Sequence, residues 1–399
     1  MSVAQLDFNN TKVAFQLKTD SELERAYFLF KMISNQPLVR IGTAATNFAL
    51  KTRLPVEGLI RSTVFDHFCG GVNALDCMPK IDMMYRSNVC SILDYSVEGK
   101  QDDVQFDSVV AKTLELIDFA AQKKCMPFTV FKPSGVGRFK IYEKISNSLP
   151  LTKEEIKEWS KIQKRFHSIC KHAKINNIAV LIDAEESWMQ SAVDGFVLDL
   201  MKIYNKDSVV VFNTLQAYRL DRLDQLKELH SLAKAQKFKL GFKLVRGAYL
   251  EKERARAKAL DYISPICATK EDTDLNFDSC LKYILRHLDD IHLFLGTHNE
   301  KSTLKALEIL ECENIGKGDS RVWFGQLLGM SDHISFNLAK LKYNVAKYLP
   351  FGPVKDVMPY LIRRAEENTS VAGQTNRELE LIKKEKKNYI ILKILIGLS

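Results

Sequence analysis

The sequence predicts an α/β protein, a closed parallel (β/α)8 barrel of the TIM type with an additional N-terminal helical region. From residue 85 onward, eight short β-branched or apolar runs alternate with longer amphipathic segments. The runs are continuous rather than alternating, which is typical of parallel strands buried on both faces. Residues 1–84 contain no comparable strand pattern, whereas the segment SELERAYFLFKMI has helical spacing. Eight strand-helix units is the number that closes a parallel barrel.

The eight runs define the expected strands and, with the segments around them, the expected domains. We expect strands at residues 89–96, 127–132, 178–184, 209–217, 240–247, 291–298, 322–328 and 344–350. Amphipathic patterns at 107–124, 151–174 and 220–236 predict helices between them. We therefore interpret 1–84 as an N-terminal helical region, 85–375 as the barrel domain and 376–399 as a basic, then apolar, C-terminal tail.

A doubly wound open sheet is the competing fold, and it would bind a nucleotide through a glycine-rich first turn. The segment PSGVGRFK at 133–140 lacks the third glycine of that turn and follows the second strand rather than the first. The segment HFCGGV at 67–72 precedes all the strands, and the chain contains no Walker loop. The barrel is therefore the favoured fold.

Composition favours a cytoplasmic protein without nucleic-acid partners. The net charge of +9 is spread along 399 residues, with basic and acidic residues interleaved, which favours an anionic ligand or membrane surface over nucleic acid. The eight cysteines form no CxxC pair, and we expect them to be reduced thiols. We expect no signal peptide and no membrane-spanning segment. The lysine cluster at 383–387 and the apolar residues after it suit either peripheral docking on the inner face of the cytoplasmic membrane or packing on the protein itself.

Polar side chains follow nearly every predicted strand. In a parallel barrel such residues gather at one end and form the functional site. One polar residue at a strand end is often a helix cap, but seven strand ends in register favour a common site. The segment YLIRRAEEN adds Arg363 and Arg364, whose planar guanidinium groups suit a substrate carboxylate. The residues at the strand ends are Lys132, Asp183, Glu185, Gln216, Tyr218, Lys243, Arg246, Tyr249, Thr297, His298, Asn299, Gln326 and Tyr348.

Several segments together resemble the flavin-dependent proline dehydrogenases: FKLVRGAY at 242–249, QLLGM at 326–330, YLIRRAEEN at 360–368, DAEESW at 183–188 and GTHN at 296–299. The matches occur in order from residue 93 through Thr369 and cover the barrel. The resemblance implies a distorted barrel that holds FAD over its strand ends. It further implies oxidation of L-proline to 1-pyrroline-5-carboxylate by hydride transfer to flavin N5, with electrons passing to a membrane quinone.

The resemblance also assigns roles to single residues. Lys132, Arg363 and Arg364 would bind the proline carboxylate, Glu367 would contact the amine, Asp183 would support the pocket and Tyr348 would pack against the ring. The implied FAD contacts are Gln216, Lys243, Val245, Arg246, Gly247, Ala248, Tyr249, Thr297 and His298. Lys243 and Arg246 stand in the order of the mitochondrial members, whereas many bacterial relatives have Arg first and Lys second. A lone histidine near a strand is usually a core residue, but Thr297 and Asn299 beside His298 favour the cofactor.

Other functions stay open beside this one. A related flavin barrel would act on methylene-folate or hydroxyproline, although a hydroxyproline enzyme is expected to carry a smaller residue at Tyr348. A Schiff-base aldolase using Lys132 would be colourless, and a catalytically silent barrel would serve as a membrane or regulatory partner. We expect no metal site. The length of 399 residues leaves no room for an aldehyde dehydrogenase module, so a separate pyrroline-5-carboxylate dehydrogenase is the expected downstream partner.

Overall fold

The structure, a computed structural model, describes residues 6–35, 37–39, 42, 44, 57–96, 102–370 and 372–396. Eight strands form a nearly closed parallel barrel in the order β1-β8-β7-β6-β5-β4-β3-β2. The prediction of a distorted (β/α)8 barrel is confirmed, and each strand lies within a predicted run or differs from it by one residue. The strands are β1 Val89–Tyr95, β2 Phe128–Phe131, β3 Ala179–Ile182, β4 Val211–Gln216, β5 Leu240–Val245, β6 Ile291–Gly296, β7 Val322–Leu327 and β8 Val345–Phe351.

The predicted N-terminal helical region is confirmed over the part of it that the structure describes. Its longest helix begins with a capping box, in which Thr19 Oγ1 accepts from the Glu22 amide and Glu22 Oε2 accepts from the Thr19 amide. A π-helical turn at Arg61–Phe65 joins two of the helices. The described helices are α1 Thr11–Ala14, α2 Asp20–Ile33, α3 Glu57–Ile60, α4 Asp66–Phe68 and α5 Met78–Tyr85.

Helices connect the strands in the right order for a barrel. The three helices predicted from amphipathic spacing are among them, as α6, α8 and α10. Thr152 caps the longest one with a second capping box, in which Glu155 returns a bond to the Thr152 amide. The connecting helices are α6 Asp103–Ala121, α7 Phe139–Ser146, α8 Lys153–Ile175, α9 Ser187–Tyr204, α10 Arg222–Gln236, α11 Leu250–Ala259, α12 Lys270–Leu285, α13 Glu300–Cys312 and α14 Asp332–Lys340.

The chain divides into two compact units. The first unit comprises Met1–Glu98, His298–Glu300 and Gln326–Ser399, and the second comprises Gly99–Thr297 and Lys301–Gly325. Within the second unit, the ring of Phe128 meets Phe212, Phe294 and Trp323 edge-on at centroid distances of 5.8, 5.2 and 5.2 Å. These aromatic contacts pack side chains of β2, β4, β6 and β7 against one another. The predicted domain limits stay predictions.

Two helices end the first unit, α15 Val354–Ser370 and α16 Ala372–Ile396. Leu381 and Ile382 of α16 are each 1% exposed and belong to one buried cluster with α1 and α2. Lys386 of α16 pairs with Glu24 of α2 at 2.6 Å. The first half of the predicted tail therefore packs on the protein itself, whereas the side chains beyond residue 388 lie outside the described part. Among the described residues, no helix is long and apolar enough to span a bilayer.

Candidate active site

The carboxyl ends of β2 to β6 in the second unit carry five of the predicted site residues. Because parallel strands end at the same edge of a sheet, these side chains are brought to one end of the unit. Lys132 follows β2, Asp183 follows β3, Gln216 ends β4, Arg246 follows β5 and Thr297 follows β6. The positions match the sequence interpretation strand by strand.

Lys243 on β5 forms an ion pair with Asp183. Its Nζ lies 2.5 Å from Asp183 Oδ1, and both side chains are mostly buried, at 11% and 17% exposure. The Asp183 amide donates to the Phe131 carbonyl at 3.0 Å, which fixes the start of the loop after β3. This buried contact holds the ammonium of Lys243 beside the end of β3.

The guanidinium of Arg246 donates hydrogen bonds to residues of three different segments. Its Nε donates to Asp274 Oδ1 at 2.7 Å, one terminal nitrogen donates to Thr297 Oγ1 at 3.1 Å and the other donates to Ser302 Oγ at 2.9 Å. The guanidinium carbon lies 4.3 Å from the centre of the Phe277 ring. Every branch of the planar fork has a partner, so the orientation of this cation is fixed.

The backbone bends after β5, where Gly247 directly follows Arg246. Gly247 has φ of +131°, and a Cβ atom at this position would lie 2.6 Å from the Tyr218 ring. The Tyr218 amide donates to the Arg246 carbonyl at 2.7 Å, and the Ala217 amide donates to the Val245 carbonyl at 2.8 Å. The loop after β5 is therefore pressed closely onto the loop after β4, and only glycine fits at the contact.

The last residues of the segment FKLVRGAY lie beyond this bend. Ala248 is exposed, and Tyr249 stands at the N-cap position of α11. The Tyr249 ring lies 5.4 Å from the ammonium of Lys252, one turn along that helix. Both residues lie in the loop between β5 and α11, directly after Arg246 and Gly247.

Gln216 contributes a buried acceptor that has no use within the described protein. Its Nε2 donates to the Glu185 carbonyl at 2.8 Å, which fixes the orientation of the amide. Its Oε1 is buried and has no hydrogen-bond partner among the described residues. Since an unsatisfied buried acceptor is costly, this oxygen marks a position where a ligand donor fits.

His298 belongs to the first unit, where the loop after β7 and α16 hold it. Its Nδ1 lies 3.0 Å from Ser331 Oγ, and the Ser331 amide donates to Glu378 Oε1 at 2.5 Å. Burial, followed by the positive charges of Lys347 and Arg364, lowers the pKa of His298 to about 3. The imidazole is therefore neutral at physiological pH and offers one donor and one acceptor nitrogen.

The remaining predicted substrate residues also lie in the first unit. Tyr348 is buried on β8, and its carbonyl accepts from the Leu328 amide at 2.9 Å. Arg363 and Arg364 are half-buried on α15, and the Arg364 guanidinium lies 5.1 Å from the Tyr360 ring centre. Glu367 lies on the same helix, but its side chain is outside the described part of the structure.

Several residues that hold the site were not assigned by the sequence. Asp274 and Ser302, which orient Arg246, lie on α12 and α13, 28 and 56 residues further along the chain. Tyr218 and Glu185 were noted as strand-end residues without a role. Ser331 and Glu378 gave no local signal, because their contacts with the His298 segment depend on the fold. Among the described residues, no group of three His, Cys, Asp or Glu side chains could hold a metal ion.

With this geometry in place, comparison with known proteins identifies the family. The sequence model described as "Proline dehydrogenase" matches residues 77–377, about three quarters of the chain. The chain belongs to the proline dehydrogenase family. Its relatives include "Proline dehydrogenase 1, mitochondrial" of Arabidopsis thaliana, 30% identical over 97% of this chain and 87% of the relative. They also include "Carbapenem antibiotics biosynthesis protein CarD" of Pectobacterium carotovorum, 38% identical over 86% of this chain and 87% of the relative.

Solved structures carry the same fold as this member of the proline dehydrogenase family. The structure of proline utilization A from Bdellovibrio bacteriovorus, inactivated by N-propargylglycine, superposes with a TM-score of 0.71 at 19% identity. The match covers 94% of this chain but only 38% of that protein. The similarity supports the distorted barrel, and the chain spans little more than a third of the larger protein's length.

Proposed function

We propose that this protein oxidises L-proline to 1-pyrroline-5-carboxylate with FAD as its cofactor. Three features support the proposal: membership of the proline dehydrogenase family, the fixed cations at the strand ends and the unpaired Gln216 oxygen. A Schiff-base aldolase has less support, because that family membership favours redox chemistry over lysine chemistry at Lys132. The Gln216 oxygen is the observation that carries the cofactor assignment, since nothing in the described protein uses it.

The residues after β4, β5 and β6 fit FAD. The amide oxygen of Gln216 suits a ring N–H donor, and Gly247 lets the loop after β5 pack onto Tyr218 directly beside Arg246. Arg246 and Lys243 supply positive charge for an anionic ring or a pyrophosphate. FAD, when bound, supplies a two-electron acceptor. The residues proposed to hold it are Gln216, Lys243, Val245, Arg246, Gly247, Ala248, Tyr249, Thr297 and His298.

We assign the proline carboxylate to Lys132, Arg363 and Arg364. Two guanidinium groups and an ammonium can hold one carboxylate in a single orientation, so that the ring carbon next to nitrogen faces the acceptor. Tyr348 would pack against the ring. In this proposal positioning, rather than acid-base strength, contributes most of the rate.

The remaining roles concern the ring nitrogen and charge balance. Conversion of the C–N bond to C=N removes a hydride from the ring carbon and a proton from the nitrogen, and the hydride leaves only when the nitrogen has a free lone pair. The site must therefore accept the extra proton of the ring nitrogen before hydride transfer. Glu367 would contact the amine, and Asp183 would support the pocket through its pair with Lys243. Electrons would pass to a membrane quinone while the protein is bound peripherally on the cytoplasmic side. A separate pyrroline-5-carboxylate dehydrogenase would consume the product.

The visible absorbance spectrum of the purified protein tests the proposal directly. We expect flavin bands that bleach when L-proline is added without oxygen and return when a quinone analogue is supplied. A spectrum with flavin that stays oxidised in proline would refute the substrate. A folded protein that binds no FAD even when supplied with it would refute the cofactor and favour the aldolase or the catalytically silent barrel.

A second substrate is tested by the same titration. A relative named "Hydroxyproline dehydrogenase" from Xenopus laevis is 28% identical over 94% of this chain. Tyr348 is large and buried, and an added ring hydroxyl would need space beside it. We therefore expect bleaching by hydroxyproline to need a higher concentration than bleaching by proline. The reverse preference would make hydroxyproline the substrate. Flavin that neither amino acid bleaches, but that methylene-folate reoxidises once it has been reduced chemically, would favour the folate barrel.

A further inference from the structure

We propose that Glu185 is a positioning residue that holds Lys132 in the orientation needed to bind the substrate carboxylate. The proposal rests on the proposed function, because it takes Lys132 to be a carboxylate ligand. Glu185 follows β3 in the second unit and is 7% exposed. Its carboxylate binds the turn that directly follows Lys132.

The contact between Glu185 and that turn is made by both carboxylate oxygens. Oε2 accepts from the Ser134 amide at 2.8 Å, and Oε1 accepts from Ser134 Oγ at 2.6 Å. Ser134 is the central residue of the 3-10 turn Pro133–Gly135, and the Gly135 amide closes the turn on the Lys132 carbonyl at 3.0 Å. The carboxylate therefore binds Ser134, which is only two residues from Lys132.

A second buried side chain, that of Tyr142, holds the same turn. The hydroxyl of Tyr142 donates to the Pro133 carbonyl at 2.8 Å. Burial, with a contribution from the charge of Glu185, keeps the pKa of Tyr142 well above its usual range, so this donor is always protonated. Between Tyr142 and Glu185 the backbone after Lys132 has little freedom, and a long flexible side chain starts from a fixed point.

Glu185 is itself fixed by its neighbours. Its amide donates to Gln190 Oε1 at 3.1 Å, and its carbonyl accepts from Gln216 Nε2 at 2.8 Å. The same residue thus connects the turn of Lys132 to the amide of Gln216, the proposed cofactor contact. Glu185 therefore contacts both the turn after Lys132, the proposed carboxylate ligand, and Gln216, the proposed FAD ligand.

The electrostatics favour a functional role over a purely structural one. Burial raises the pKa of Glu185 to about 7, the bonds from Ser134 oppose that rise, the charge of Glu186 adds to it and the charge of Lys132 opposes it. A buried carboxylate is costly, and a neutral side chain would pack in this position at lower cost. When ionised, as the pH rises through about 7, the carboxylate attracts Lys132 and accepts both hydrogen bonds from Ser134.

The test is a double-mutant cycle between Glu185→Gln and Lys132→Met in the full-length, FAD-loaded protein. The readouts are kcat and KM for L-proline with a dye acceptor, and the dissociation constant of cyclopentanecarboxylate from changes in the flavin spectrum. This probe keeps the carboxylate and the ring but has no oxidisable nitrogen. Glu186→Gln is the matched control, since Glu186 is the adjacent carboxylate and pairs with Lys252 at 3.0 Å instead.

We expect Glu185→Gln to raise the KM and the dissociation constant about tenfold, with kcat changed less than twofold and no effect of Glu186→Gln. In the Lys132→Met background, Glu185→Gln should add no further loss. Ser134→Ala removes the hydroxyl donor and keeps the amide donor, so it should weaken proline binding less than Glu185→Gln does. This variant takes the place of Glu185→Gln if Glu185→Gln folds poorly. Unchanged binding in Glu185→Gln, or an equal loss with and without Lys132, would overturn the proposal. Wild type that is not bleached by proline would instead refute the proposed function.

Discussion

At the scale of single residues, Lys243 and Arg246 carry the same charge but make different contacts. Lys243 directs one ammonium to one oxygen of Asp183 at 2.5 Å, whereas Arg246 distributes three donors over Asp274, Thr297 and Ser302. An ammonium can rotate and find another partner, but the fork of an arginine matches only one arrangement. Replacing one by the other therefore keeps the charge and loses the geometry.

The first prediction concerns Arg246→Lys. We expect the dissociation constant for FAD to rise at least about tenfold, because a lysine ammonium can replace only one or two of the three hydrogen bonds. Titration of the apoprotein with FAD, followed by flavin fluorescence, measures it. Arg254→Lys is the control, since Arg254 is exposed and donates to the Ala268 carbonyl outside this cluster. Equal FAD affinity in Arg246→Lys and wild type would contradict the assignment.

The second prediction is a pH effect on stability from Glu185. Burial raises the pKa of Glu185 from 4.5 to about 7, so the folded protein binds a proton that the unfolded chain releases. The associated stabilisation is present below pH 4.5 and is lost as pH rises through 7, by up to about 3 kcal/mol. The free energy of unfolding, measured with urea, should therefore decrease more between pH 5 and pH 8 for wild type than for Glu185→Gln. Parallel pH dependences would show that Glu185 ionises normally.

At the scale of secondary-structure elements, the bend after β5 depends on one glycine. Gly247 combines a positive φ with the Tyr218 ring directly beneath it, so a side chain would be strained and would also collide. Tyr218 cannot move away easily, because it is 2% exposed and its amide is bonded to the Arg246 carbonyl. The bend in turn fixes the backbone position of Arg246, from which its guanidinium extends.

The third prediction is that Gly247→Ala lowers stability by on the order of 1–3 kcal/mol and reduces the FAD content of the purified protein. Gly195→Ala is the matched control. Gly195 lies within α9, and a Cβ there would meet nothing within 4 Å, so this change should stabilise the protein by about 0.5–1 kcal/mol. Denaturant unfolding and extraction of bound flavin measure both effects. A Gly247→Ala protein with full flavin content would show that the bend is not required.

Helix α16 is an integral element of the first unit. Arg377 donates to Glu300 at 2.7 Å, and Glu378 accepts from the amide of Ser331, the partner of His298. Leu381 and Ile382 insert into the buried cluster with α1 and α2. The helix therefore supports the loops that present His298.

The fourth prediction follows from this packing. We expect Ile382→Ala to lower the free energy of unfolding by about 2–4 kcal/mol, because it leaves a cavity among buried side chains. Lys387→Ala, a change at an exposed position of the same helix, should be nearly neutral. Chemical denaturation of both variants gives the comparison. Equal stability would mean that α16 is not part of the cooperative unit.

At the scale of the whole molecule, the sequence predicted the barrel because eight β-branched or apolar runs alternate with amphipathic segments. It predicted the site because polar residues lie at seven of the strand ends. The observed strand limits differ from the predicted ones where an apolar run continues past the paired residues. For β3 we expected 178–184, but the strand pairs only over Ala179–Ile182. Contacts across long sequence separations had no such signal, as with Arg246 and Ser302. The end of the chain was ambiguous because lysines beside apolar residues suit a membrane surface and a protein surface equally well.

The last prediction concerns how the whole protein would meet a membrane. With a net charge of +9, peripheral binding should be electrostatic, so flotation with vesicles containing about a third anionic lipid should be strong at low salt and largely lost near 0.5 M salt, where screening is short-ranged. Vesicles of neutral lipid alone are the control and should not bind.

The same assay decides whether α16 supplies the binding surface. Lys384 donates to the Asn9 carbonyl and Lys386 pairs with Glu24, so both are engaged with the protein, whereas Lys383 and Lys387 are exposed. Charge reversal of these two exposed lysines to Glu should weaken flotation more than reversal of the exposed Lys157 and Lys164 of α8, since both pairs change the net charge equally. Equal losses would show that overall charge, and not α16, directs binding. Absence of flotation with anionic vesicles at every salt concentration would refute peripheral membrane association.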